Sequence, residues 1–185
     1  IIENVVLQEV DAIIVDPLDR EGIKPALQAA GEAGIPIVTC GNEVDTEWNH
    51  CTIYNDVYDV GCITDIVSTL IGEEGKVACV VGAPGSAVSD ARQKGFEDTV
   101  AKYPNVEAFV LPANWDATVA QQLVTDLLAA EPDMDAIICA DSVAYQVAEA
   151  ADAAGRSDLM ITAFTSMGEN LPYVEDGSYF LDLLM

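Results

Sequence analysis

Apolar positions fall in short runs separated by amphipathic segments. Residues 1–10 place Ile1, Ile2, Val5, Val6 and Val10 at helical spacing. DAIIVDP (11–17) is a buried-strand run stopped by Asp-Pro. The Ala-rich segment 22–34 predicts a helix ending near Gly34, and IPIVTC (35–40) a strand. GNEVDTEWNH (41–50) is a polar loop, residues 51–56 a strand, and residues 56–75 a helix stopped by Gly75. Strands follow at 76–82, 105–113, 134–140 and 158–164, with a turn at 83–90. Helices are expected at 91–104, 116–132 and 141–155, then a short helix at 169–177 and a last strand at 178–185. Strand–helix alternation with apolar strands predicts an α/β fold, parallel sheets with helices on both faces.

An internal echo divides the chain. Asp11-Ala12-Ile13-Ile14 recurs as Asp135-Ala136-Ile137-Ile138, and Ala26, Ala29, Ala30 and Gly31 recur as Ala150, Ala153, Ala154 and Gly155. One strand–helix unit used twice predicts two Rossmann-like lobes with a ligand cleft between them. In open α/β sheets, ligands collect at the carboxyl ends of the strands.

Composition narrows the function. Of 185 residues 51% are hydrophobic and 21% charged, so a packed core forms. Asp and Glu number 32 against 7 Lys and Arg, a formal charge of −25. That balance argues against nucleic acid, which needs a basic face, and against an anionic membrane surface. No apolar run reaches the roughly 18 residues of a membrane span. Five cysteines without a CxxC pair, and His50 alone, argue against a zinc site. Cys40, Cys79 and Cys139 lie in strand runs and read as buried free thiols. The opening IIENVV has no initiator Met or signal peptide, and the close on FLDLLM is apolar; the chain reads as a piece of a longer protein.

The strand ends nominate Asp16, Gly41, Asn42, Asn55, Asp56, residues 83–89, Asn114, Trp115, Asp141, Thr165 and Ser166. The set is rich in Asp, Asn and Ser and pairs no base with a nucleophile. There is no GxSxG elbow, no GK[ST] phosphate loop and no GxGxxG after a strand. Binding without catalysis, and without a cofactor or metal, is the expectation. Arg92, at the start of a helix after a strand, is a guanidinium suited to hydroxyls or a carboxylate. Trp115 in PANWDA is a surface plug or a flat platform for a sugar ring. Trp48 is a candidate rim residue, with a plain packing role the stronger alternative. Asp141 stands at a helix N-terminus, where capping explains it and ligand binding remains compatible.

These motifs together resemble type I periplasmic sugar-binding proteins, the ribose-binding class. The matching pieces are VDAIIVDPLDREGIKPALQAAGEAGIPIVT, NDVYDVG, GKVACVVGAPGS with ARQKGF, NWDATVAQQLVTDLL, DSVAYQVAEAADAAG and EDGSYFLDLLM, in the family's order. The resemblance implies a solute-binding protein outside the cytoplasm, periplasmic or a surface lipoprotein, whose lobes close on a sugar-like solute by hinge bending. It implies an ABC transporter permease as partner and elements before and after this chain. It places residues 1–55 and 165–185 in a partial first lobe and 56–164 in the second. It implies Asp16 and Arg92 as ligand contacts; with Asn42, Trp115, Asp141 and Thr165, nominated from the strand ends, they make up the expected contact set. Arg92 sits where the family has its ligand-binding Arg. Gly41 and Asn42 stand where ribose binders have Asp and Arg, Ala140 where Asn is usual, Thr165 in place of Asp, and Met185 near a hinge Gln. Those replacements put pentose recognition by the usual residues in question. The alternative is a ligand-sensing domain of a transcription regulator or signalling receptor with the same fold.

Overall fold

In a computed structural model of the chain, residues 1–17, 19–41, 43–53, 56–164, 171–177, 179 and 181–183 are described. They form two compact units, Ile1–Asp56 and Val57–Met185.

The first unit begins with a short helix, α1 (Ile2–Val6), followed by β1 (Ile13–Val15), α2 (Lys24–Glu32), β2 (Ile37–Thr39) and β3 (Cys51–Thr52). The three strands are parallel in the order β1-β2-β3, with Ile13 beside Ile37 and Val38 beside Cys51. Its core is Ile13, Leu27, Ala30, Ile35, Ile37 and Val44. Pro25 suits the first turn of α2, where its missing N–H costs nothing. Gly34, at φ +79°, ends that helix in the left-handed region. Trp48 packs against this core, and a Cβ on Gly31 would land on its indole. Trp48 thus has a packing role in the first unit.

The second unit holds α3 (Asp56–Leu70, its first residue shared with the boundary), β4 (Glu74–Val81), α4 (Ala87–Val100), β5 (Asn105–Pro112), α5 (Ala117–Ala130), β6 (Ala136–Ala140), α6 (Asp141–Ala153), β7 (Met160–Phe164), α7 (Leu171–Glu175) and β8 (Leu181–Leu183). All five strands are parallel, in the order β5-β4-β6-β7-β8. β6 is buried along its whole length and β4 from Val77 to Val81, as strands covered on both faces must be. Edge strand β5 has no fully buried residue and closes on Pro112, which an edge tolerates.

Three sequence expectations change. Residues 181–183 pair with β7, Thr162 beside Leu181 and Phe164 beside Leu183. The C-terminal strand thus belongs to the second unit's sheet, not to the first lobe with residues 1–55. Helix α4 starts at Ala87, within the expected turn, because Ser86 is already extended and the Asp90 carboxylate accepts from the Gly85 N–H at 3.0 Å. Helix α3 stops at Leu70, short of Gly75, because Gly72 at φ +84° reverses the chain and the Glu73 N–H donates to the Ser68 carbonyl. The echo holds for strands β1 and β6 but not for the helix glycines. Gly31 lies inside α2, whereas Gly155, at φ +70°, follows α6.

Candidate ligand-binding site

The carboxyl ends of β5, β4, β6 and β7 stand side by side, because the strands are parallel and adjacent. Gly82 follows β4 directly, Trp115 follows β5 after a tight turn, Asp141 follows β6 directly, and Phe164 closes β7. Helix α4, the return from β4, brings Arg92 to the same edge. Its guanidinium carbon lies 5.5 Å from the Trp115 ring centroid and 4.7 Å from that of Phe164. Arg92 is only 7% exposed, and Phe164 is fully buried. Each cation–aromatic contact contributes about 0.5–2 kcal/mol, more where water is excluded.

The turn that delivers Trp115 is unusual. Asn114 and Trp115 both adopt positive φ, +55° and +62°. Left-handed backbone costs a residue with a Cβ roughly 1–2 kcal/mol. Helix α5 anchors the far side of the turn: its cap Asp116 accepts from the Thr118 and Val119 N–H groups at 2.8 and 3.1 Å. The indole ends against Gly82, where a Cβ would collide with it.

Cys79 lies in β4 beneath this edge, and burial pushes its thiol up to about 12, against a smaller opposing pull from the Arg92 charge. His50 is likewise engaged: its Nδ1 accepts from the Ile37 N–H at 3.2 Å. In the first unit a polar hollow of about 420 Å³ is lined by Glu43, Asp45, Thr46, Asn49, His50 and Thr52, among others. Asn49 Nδ2 donates to the hydroxyls of Thr39 and Thr52 at 3.1 and 3.2 Å, tying the 41–50 loop to β2 and β3. Among the described residues no group of three or more His, Cys, Asp or Glu is placed to hold a metal ion.

Of the residues nominated from sequence, the structure brings Arg92 and Trp115 together. The Trp115 indole is engaged with the guanidinium and Gly82 while remaining 40% exposed. Asp16 follows β1 in the first unit and is exposed. Asp141 is the first residue of α6, and Ala140 takes the cap position one residue earlier than expected. Asn42 and Thr165, with Asn55 and Ser166, lie outside the described residues. Sequence reasoning missed Phe164 and Gly82. Both carried a signal, an aromatic closing an apolar strand and a glycine directly after one.

Residues 1–180 match the family described as "Periplasmic binding protein domain". The chain belongs to this family. It is 25% identical over 178 residues to the ribose import binding protein RbsB of Salmonella typhimurium, covering 95% of this chain and 60% of that protein. It is 31% identical over 165 residues to a putative rhizopine-binding protein of Rhizobium meliloti, covering 84% of this chain and 53% of that one. Among solved structures, an ABC transporter periplasmic solute binding protein of Actinobacillus succinogenes, determined with bound D-allose, superposes with a TM-score of 0.77 at 26% identity, covering 96% of this chain and 67% of that one. The chain thus spans about 60% of the length of the ribose-binding relatives. The periplasmic binding protein fold expected from sequence, two α/β units with parallel sheets, is the one found. No helix among the described residues is long and apolar enough to cross a membrane.

Proposed function

We propose that this periplasmic binding protein captures a small polar solute, a sugar or polyol, outside the cytoplasm and presents it to an ABC transporter permease. The observation that carries the reading is the Arg92 guanidinium, buried at the strand ends against Trp115 and Phe164. A guanidinium donates to sugar hydroxyls through planar N–H groups, and an apolar ring suits the C–H face of a pyranose or furanose. The relatives support the solute class: one is named for ribose import, and one was determined with D-allose. Asp16 keeps its proposed ligand role on the family resemblance, and Asn42, Asp141 and Thr165 keep theirs from their positions after the strands. Hinge closure and release to the permease follow from the same reading, as does a periplasmic or surface-lipoprotein location. The chemistry is recognition, with no bond made or broken.

The test is thermal unfolding of the full-length protein with D-ribose, D-allose, xylitol and myo-inositol. A solute at 100 times its Kd adds roughly 2.7 kcal/mol to the folded state, several degrees in Tm. A shift lost in Arg92→Ala supports the reading. Steady conversion of any bound solute contradicts it.

A further inference from the structure

We infer that Gly82 is a positioning residue for Arg92, acting through Trp115. The inference rests on the reading of Arg92 as the ligand contact. Three observations converge on it. First, the Trp115 indole lies over Gly82, where a built Cβ would collide with three indole atoms. Only a bare Cα lets the ring settle at that depth on the end of β4. Second, the chain reaches this placement through consecutive left-handed residues, Asn114 and Trp115. Such backbone persists where its surroundings over-determine it. Here the Asp116 cap holds one side and the seated indole the other. Third, the guanidinium of Arg92 lies 5.5 Å from that indole and 4.7 Å from Phe164. Phe164 is fully buried at the end of β7 and is fixed by its strand. Trp115 is 40% exposed and has room to swing outward. Of the two aromatic groups, the indole is thus the adjustable one, and Gly82 sets where it stops. An alanine at position 82 displaces the ring toward solvent. The guanidinium then keeps Phe164 but loses its second aromatic face, and with it one of the contacts that hold its orientation.

The experiment is ¹⁵N relaxation of the Arg92 Nε–H in the full-length protein. Loss of one Nε–H signal in Arg92→Lys identifies that of Arg92. A Trp48→Phe background removes the other tryptophan of these 185 residues, and the emission lost in Trp115→Phe is the Trp115 contribution. In the parent the Arg92 Nε–H order parameter should match rigid backbone, about 0.85. In Gly82→Ala the Trp115 emission should move to the red, and the Nε–H order parameter should fall below about 0.6. D-ribose and D-allose are titrated in parallel, and Gly82→Ala should weaken whichever binds at least tenfold. Trp115→Leu leaves Gly82 in place and should produce the same loss of order, so it serves if Gly82→Ala does not fold. An Arg92 that stays rigid in Gly82→Ala or Trp115→Leu, or an unmoved Trp115 emission in Gly82→Ala, overturns the inference. So does unchanged sugar affinity in Gly82→Ala, which leaves the solute reading standing. If the parent binds neither sugar, that reading fails for both, while the relaxation data still decide whether Gly82 positions Arg92.

Discussion

The guanidinium carbon of Arg92 lies 5.5 Å from the centroid of the Trp115 ring, within one unit and across two different strand-end connections. The pair joins the loop after β5 to the helix after β4, so one contact orders two parts of the candidate site. Its energetic weight is uneven. Phe164, on the other side of the guanidinium, is fully buried, and Phe164→Ala should cost about 3–5 kcal/mol through lost burial and a cavity. Trp115→Ala should cost only about 1 kcal/mol, because the ring is partly exposed and its main contact is with the guanidinium. Urea unfolding of the two variants measures both, and equal losses contradict the assignment.

The turn bearing Trp115 depends on the cap of α5. Asp116→Ala leaves the Thr118 and Val119 N–H groups without the carboxylate oxygen they share. The expected loss is about 1 kcal/mol, while Asp116→Asn should lose only a few tenths. Chemical denaturation reads the difference, and equal losses for the two variants would count against the capping role.

Lys76 anchors the start of β4 to the loop before β6, donating to Glu131 at 2.6 Å and Asp133 at 2.7 Å. These hydrogen bonds raise the lysine above its usual range, and the lysine holds the Asp133 carboxyl below the usual aspartate range. A carboxylate lowered in the folded state stabilises above its unfolded pKa. That contribution disappears as pH falls through the lowered value. The Tm gap between the parent and Lys76→Met should therefore be full at pH 6 and shrink below about pH 4. A gap that stays constant from pH 6 to pH 2 refutes the coupling. High salt should also narrow it, since the pair is partly exposed.

The five thiols should differ widely in reactivity. Cys79 and Cys139 are fully buried, and burial holds the Cys79 thiol near 12. Cys51 is exposed. Limited alkylation of the native protein at pH 8, followed by peptide mass mapping, should label Cys51 first and spare Cys79 and Cys139 until the protein unfolds. Early labelling of Cys79 would contradict the packing of β4.

Much of this fold was legible because parallel strands buried on both faces write themselves as apolar runs. KVACVV and AIICA became β4 and the centre of the second sheet. The polar loop 41–50 and the helix ending near Gly34 were equally plain. Boundaries failed where a backbone device overrode the pattern. Gly72 stopped α3 early, and extended Ser86 started α4 early. The placement of β8 failed for another reason: periodicity marks a strand without naming the sheet it joins. At the site, Arg92 stood out as one of few basic residues in an acidic chain. Its partners did not. Phe164 looked like any strand residue, and the role of Gly82 lies in a side chain it lacks, against a ring distant in sequence.

The central claim is that Arg92 is the anchor for a polar solute. Calorimetric titration of the full-length protein and its Arg92→Met variant with D-ribose, D-allose, xylitol and myo-inositol tests it most directly. The Met side chain keeps an apolar stem against Phe164 and Trp115 but removes the donors. The account predicts that at least one solute binds the parent and that the variant binds it at least a hundredfold more weakly, a loss of about 2.7 kcal/mol. Binding of equal strength in parent and variant, with both folded, would contradict it.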